Sequence, residues 1–149
     1  MKDLENQSNN IGYLLYHLTI ELQRAVKQKF DPIGITHTQF IILATIYRLS
    51  SENKPINQIE IAKQSGTDKM MVSKLLRTLE EKQLIGRKED VVDTRSKNVT
   101  ITPKGVETFK NAFTVIKKVE SDFFEPLGDE KTQFAKSLQI ILNKNKNEN

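Results

Sequence analysis

The sequence predicts a mainly α fold carrying one small β-hairpin. Three observations predict it. Apolar residues recur at three- and four-residue spacing over most of the 149-residue chain. That period gives way to a strand-like one only between Ile85 and Ile101. Capping and breaking residues punctuate the rest at the intervals a set of helices needs. The length suits one domain with one core.

Residues Met1–Asn10 are polar and are expected to fray. Ile11, Leu14, Leu15, Leu18, Leu22, Ala25, Val26 and Phe30 then form one broad apolar stripe, a first helix. Asp31-Pro32 ends it, because the residue before a proline avoids helical dihedrals, and Gly34 supplies a turn. Thr36 with Gln39 makes a capping box. The second helix it opens is apolar on most sides, from Phe40 to Leu49, and is expected to be the most buried. Ser50–Lys54 reads as a loop and Pro55-Ile56 as a short extended piece. Asn57 caps a short third helix, Gln58–Gln64, with Ile59 and Ala62 inward, and Ser65-Gly66 stops it. Thr67 is expected to cap a fourth helix, with Asp68 near its positive end and Val72, Leu75, Leu76 and Leu79 inside. Ile85–Lys88 and Lys97–Ile101 read as strands around a polar tip, Glu89–Ser96. Thr102-Pro103 opens a long helix carrying Val106, Phe109, Ala112, Phe113, Ile116, Val119 and Phe123. Pro126–Gly128 breaks it, a last helix holds Phe134, Leu138, Ile141 and Leu142, and the tail 143–149 is expected to be disordered.

The third helix, the turn Ser65-Gly66-Thr67 and the fourth helix form a helix-turn-helix. In such a motif the second helix presents its N-terminal residues to base edges in the major groove. Its outward positions here are Lys69, Met70, Ser73, Lys74 and Arg77, beside Thr67. Cations suit phosphates, hydroxyls suit base edges, and Met70 suits a thymine methyl. The hairpin reads as a wing. Arg95 at its tip matches the negative potential of a narrow minor groove. Asp93 can pair with Arg95 or another wing cation and hold the loop, and Arg87 and Lys97 add positive charge. From Pro55 to Lys104 ten cations stand against seven anions, so one third of the chain carries three of its four net positive charges. A charged helix face or hairpin alone is ordinary solvated surface. The conjunction of the two points to double-stranded DNA. The alternative is a winged-helix protein-interaction module without DNA binding, which would lack a continuous basic track across reading helices and wings.

Further pieces of sequence sharpen this. They are Thr36-His37-Thr38-Gln39-Phe40, Ile59-Glu60-Ile61-Ala62-Lys63, Val72-Ser73-Lys74-Leu75-Leu76, Leu79-Glu80 and Gln83-Leu84-Ile85. Beyond them stand Asp93-Thr94-Arg95-Ser96-Lys97 and Val99-Thr100-Ile101-Thr102-Pro103-Lys104-Gly105. Together they resemble the multiple-antibiotic-resistance regulator (MarR) family, and helical flanks of suitable length extend the similarity over nearly the whole chain. The wing pattern with its closing Thr102-x-x-Gly105 is the most specific part. The resemblance implies a winged helix-turn-helix DNA-binding module, residues 36–105, embedded between N- and C-terminal dimerisation helices, residues 11–35 and 106–143. It implies a homodimer on an inverted-repeat operator, commonly a repressor released by a ligand. By position it gives Asp93 and Arg95 the wing role, and Ser73 and Lys74 the reading role. The family often has a second aspartate or a glycine around Arg95, where this chain has Thr94 and Ser96.

A dimer is also expected from composition. Phe109, Phe113, Phe123, Phe124 and Phe134 exceed what a small winged-helix core needs, and exposed they would form a large apolar patch. A second copy related by two-fold symmetry is the simplest cover. Other classes are excluded or left without support. The absence of cysteine rules out disulfides, thiolate metal sites and thiol redox chemistry. Two histidines, His17 and His37, are too few for a histidine-built metal site. No phosphate-binding glycine loop, catalytic triad spacing or paired-histidine motif indicates an enzyme, and no cofactor is implied. The longest apolar run, Phe40–Tyr47, is too short for a membrane span, and the N-terminal residues lack a secretion-signal pattern, so a cytoplasmic location is expected. Small aromatic or amphipathic effectors are the ones the resemblance implies, and Tyr13, Tyr16, His17 and His37 are the candidates to line their site.

Overall fold

The computed structural model describes residues 9–89, 92 and 97–148. Six α-helices and a two-stranded hairpin organise these described residues, and local chemistry fixes most of their ends. Helix α1, Ile11–Phe30, is capped by Asn10, whose side chain accepts from the Tyr13 amide at 3.0 Å. It passes through a 3-10 turn, Asp31–Ile33, to Gly34, whose φ of +83° lies where glycine is favoured. Helix α2, His37–Ser50, begins with both bonds of the Thr36–Gln39 capping box in place. It is the hub of the fold, touching α1, the hairpin and the helices on either side of that hairpin. Helix α3, Gln58–Ser65, is capped by Asn57 and stopped by Gly66 at φ +67°.

Helix α4, Lys69–Glu81, leads into strands β1, Ile85–Glu89, and β2, Lys97–Ile101, which pair antiparallel with Ile85 opposite Ile101 and Glu89 opposite Lys97. Pro55-Ile56 lies beside them, and the Ile56 carbonyl accepts from the Val99 amide at 2.7 Å. Helix α5, Pro103–Phe124, starts at the Thr102 cap with proline in its first turn. A 3-10 segment, Glu125–Glu130, breaks it at Pro126 and Gly128, and α6, Lys131–Asn147, closes the chain. One core runs through Phe30, Leu43, Ile46, Ile61, Leu76 and Leu79, all fully buried.

Four expectations change. Ile61 and Ala62, not Ile59, face the core, and Ile59 is 67% exposed. Two turns of helix leave the register of alternating isoleucines ambiguous in sequence, and the contact with α2 decides it. Asp68 rather than Thr67 caps α4, accepting from the Met70 and Met71 amides at 2.9 and 3.2 Å, because a carboxylate gains more from the positive helix end than a hydroxyl. The tail does not break off at residue 143, since α6 continues to Asn147 with Lys144 and Lys146 in its last turn, where cations favour the helix dipole. Phe109 does not belong to an outward stripe. It stacks on Tyr47 and Phe40 with ring centroids 4.3 and 5.9 Å apart, and Phe113 stacks on it in turn.

Burial is uneven. In α1 only Val26 and Phe30, near its end, are buried, and no described residue of α6 is. Ile11, Leu14, Leu15, Ile140, Ile141 and Leu142 are exposed apolar side chains on these two helices. Leu14, Leu15, Phe134, Leu138 and Ile141 line a largely apolar open cavity of about 610 Å³ between them, with His17 and Glu21 also in its wall. Among the described residues no helix is long and apolar enough to cross a membrane.

Candidate nucleic-acid interface

The α3–α4 pair owes its shape to the left-handed turn at Gly66 and to the Asp68 cap that begins α4 immediately afterwards. Helix α4 then buries Val72, Leu75, Leu76 and Leu79. The helical period turns the residues between them outward. Lys69, Met70, Lys74 and Arg77 are exposed, and Ser73 and Thr67 are half-buried at the edge of the same surface. Five of the six α4 and turn residues expected to meet DNA therefore share one side of the module with Thr67 at its rim. The carboxylates Glu80 and Glu81 come only at the far end of the helix.

The C-terminal end of α4 is tied to the hairpin and to α5. Gln83 takes a positive φ of 61°, and the Leu84 amide returns to the Leu79 carbonyl at 3.0 Å. The Thr102 hydroxyl donates to the Gln83 carbonyl at 2.7 Å, and Lys104 Nζ to the Lys82 carbonyl at 3.1 Å. These bonds from the start of α5 satisfy carbonyls that a helix end leaves unpaired. They also fix where the hairpin leaves α4.

Of the wing residues, Lys97 is exposed at the start of β2. Arg87 is placed differently from a freely projecting cation. Its side chain is only 18% exposed, and its Nε lies 3.9 Å from a Glu80 carboxylate oxygen on α4. Asp93 and Arg95 lie outside the described residues. Sequence reasoning passed over Met71, which is exposed beside Met70. The signal was available, because Met71 is an apolar residue out of step with the buried stripe.

The expected ligand residues do not converge. Tyr13, Tyr16 and His17 form a ring cluster on α1, with centroids 4.2 and 5.3 Å apart, and His17 also lines the cavity between α1 and α6. His37 sits against Phe30, centroids 6.4 Å apart, and Phe30 is about 20 Å along α1 from His17 at the helical rise. Burial lowers the His37 pKa, against an opposing pull from Glu120 on α5. The larger aromatic cleft lies elsewhere, between α2, the end of α3 and α5. It measures about 780 Å³ and is walled by Phe40, Tyr47, Phe109 and Phe113. Arg48 lines its rim and donates to Gln64 Oε1 at 3.1 Å, while Gln64 donates to Glu60 at 3.0 Å. Among the described residues no group of three or more His, Asp or Glu is placed to hold a metal ion.

Comparison with known proteins agrees with this geometry. The MarR family model matches residues 35–97. An uncharacterised HTH-type transcriptional regulator of Bacillus subtilis, YdcH, is 31% identical over 131 residues, covering 88% of each chain. The structure of the Staphylococcus aureus MepR–DNA complex superposes with a TM-score of 0.81 at 29% identity, covering 90% of this chain and 97% of that one. CouR from Rhodococcus jostii, bound to p-coumaroyl-CoA, gives a TM-score of 0.74 at 26% identity, covering 90% and 92%. A mutant Escherichia coli MarR complexed with operator DNA shares the fold at a TM-score of 0.80 and 21% identity, covering 92% and 96%.

Proposed function

The chain belongs to the MarR family of DNA-binding transcription regulators, and from that premise we propose that it is a homodimeric repressor of an inverted-repeat operator, released by a small ligand. The observation that carries the reading is the division of α4 into a buried aliphatic stripe and an exposed face bearing Lys69, Met70, Lys74 and Arg77. Thr67 and Ser73 add hydroxyls at its edge. Lys97 belongs to the wing, and Arg95 and Asp93 take their wing role from the sequence alone. Arg87 acts from behind, through Glu80. The protein works by binding rather than catalysis, in the cytoplasm, where its DNA is.

Residues 36–105 form the DNA-binding module, and 11–35 with 106–143 form the dimer. The exposed apolar faces of α1 and α6 support that division, since a second copy would cover them. The effector site is the cleft of Phe40, Tyr47, Phe109 and Phe113 rather than the α1 cluster. Its volume falls in the range of small-molecule sites, its walls accept an aromatic body, and Arg48 offers a cation at one side.

Fluorescence anisotropy with the DNA upstream of the chain's own gene tests the reading. A dimer meeting about six phosphates gives a slope of log affinity against log salt of roughly −5. Lys74→Ala makes the slope shallower by about 2 if that lysine meets phosphate in both subunits. A wild-type slope near zero would reject DNA binding.

A further inference from the structure

The chain has three methionines and no cysteine. Apart from Met1, its sulfur is confined to Met70 and Met71, in the first turn of α4. Methionine is ordinarily a core residue, yet Met70 is 74% exposed and Met71 47%. Met70 shares its face with Lys74 and Arg77, four and seven residues on, opposite the buried stripe. Met71 sits one step round the helix, on its flank.

We infer that Met70 is a redox-sensitive modification site, a thioether whose oxidation to the sulfoxide weakens DNA binding; this rests on the DNA-reading role of α4 proposed above. The oxidant is a two-electron oxygen donor, hydrogen peroxide or hypochlorous acid. The thioether sulfur gives an electron pair to the oxidant's electrophilic oxygen. An S–O bond forms and the O–O or O–Cl bond breaks. Sulfur is oxidised by two electrons, and the oxidant is reduced to water or to chloride and a proton. The product is polar and is reversed by methionine sulfoxide reductases.

Position makes this modification act on recognition and not on folding. The Met70 and Met71 amides are held by Asp68 whatever the state of the sulfur. No core residue of α4 contains sulfur, and the buried stripe is valine and leucine. At the DNA surface the change is unfavourable. An apolar group suited to a thymine methyl becomes a hydrogen-bond acceptor with no donor of its own, unable to pair with a methyl, a base-edge acceptor or a phosphate. An acceptor desolvated without a partner opposes binding.

The probe is hydrogen peroxide, which in a chain without cysteine reacts first at methionine. The full-length protein is treated until peptide mass mapping shows sulfoxide at position 70, and operator affinity is compared before and after. The expected loss is about tenfold, one modest contact in each of two subunits. The thermal midpoint stays unchanged, and reductase treatment restores affinity. In Met70→Leu, whatever its own starting affinity, peroxide changes nothing, whereas Met71→Leu keeps the wild-type response. Bound operator slows oxidation of Met70. Unaltered affinity after complete oxidation overturns the inference, as does a loss that persists in Met70→Leu or disappears in Met71→Leu. Failure of the untreated protein to bind any operator is separately visible and removes the DNA-reading role together with this one.

Discussion

Lys82, just past the end of α4, donates from Nζ to the carbonyl oxygen of Gly34 at 2.7 Å, across 48 residues of sequence. The same ammonium donates to Oε1 of Gln39 at 2.9 Å, and that oxygen also accepts from the Thr36 amide at 3.1 Å. Gly34 is the elbow between α1 and α2, so one side chain joins the end of α4 to the connection between those two helices. Lys82→Met keeps most of the alkyl stem and removes the charge-assisted bonds. The variant should lose about 1–2 kcal/mol, the bonds being partly solvated. Urea unfolding measures it, and an unshifted midpoint would mean that water replaces the ammonium without cost.

Gly105, in the first turn of α5, has no room for a side chain. A β-carbon there would land on the Leu84 carbonyl oxygen and lie 2.8 Å from Ile101 Cγ1. The obstacle is backbone, which cannot rotate away. Gly105→Ala should therefore destabilise the fold by about 2–3 kcal/mol, despite the better helix propensity of alanine. Because the strain falls where β1 begins, operator affinity should drop as well. A calorimetric midpoint within error of wild type would show that the strands absorb the shift.

His37 gives the fold a pH dependence of definite sign. Its pKa is lowered by burial, with Glu120 opposing. The unfolded chain therefore binds a proton that the folded chain resists. The stability tied to neutral His37 is fully present above the ordinary value of 6.5 and is lost as pH falls from there through the lowered folded value. His37→Gln should flatten the stability curve in that interval. Unfolding curves at pH 7.5 and at about pH 5 check it, and an equal drop in both proteins would assign the effect to other groups.

Ile141 is an exposed residue of α6 on the apolar cavity shared with α1. Ile141→Asp should separate the dimer, because association would bury a carboxylate without a partner. Each subunit should keep its core, since α6 contributes no buried residue to it. Sedimentation equilibrium is the measurement, and an intact mutant dimer would move the seam elsewhere.

Where the chain's own local chemistry sets the structure, the sequence was readable. Thr36 and Gln39 form the box their spacing announces, Pro103 stands in the first turn of α5, and the strands begin at Ile85 and Lys97. The exposed basic face of α4 was legible for the same reason, since the period of Val72, Leu75, Leu76 and Leu79 sets the opposite side. What escaped depends on contacts distant in sequence. Ile59 and Ile61 are equivalent until α2 chooses between them. Phe40, Tyr47 and Phe109 each look like core residues, and only the packing of α2 against α5 opens a cleft among them. Tyr13, Tyr16 and His17 attract notice as aromatic or titratable groups, but they lie along α1, away from that cleft. Arg87 offered no sign that it would lean toward Glu80 rather than stand free.

A helix of 17 residues that buries none of them within its own chain has little to hold it in water except a neighbour. Ordering α6 and finding a partner are then one event. With α6 in the proposed seam, dilution that parts two subunits also frays that helix, so competent protein rises faster than in proportion to chains synthesised while most chains are unpaired. While most chains are unpaired and its DNA is far from saturated, a regulator built this way responds steeply to gene dosage: halving its expression removes more than half of its hold on DNA.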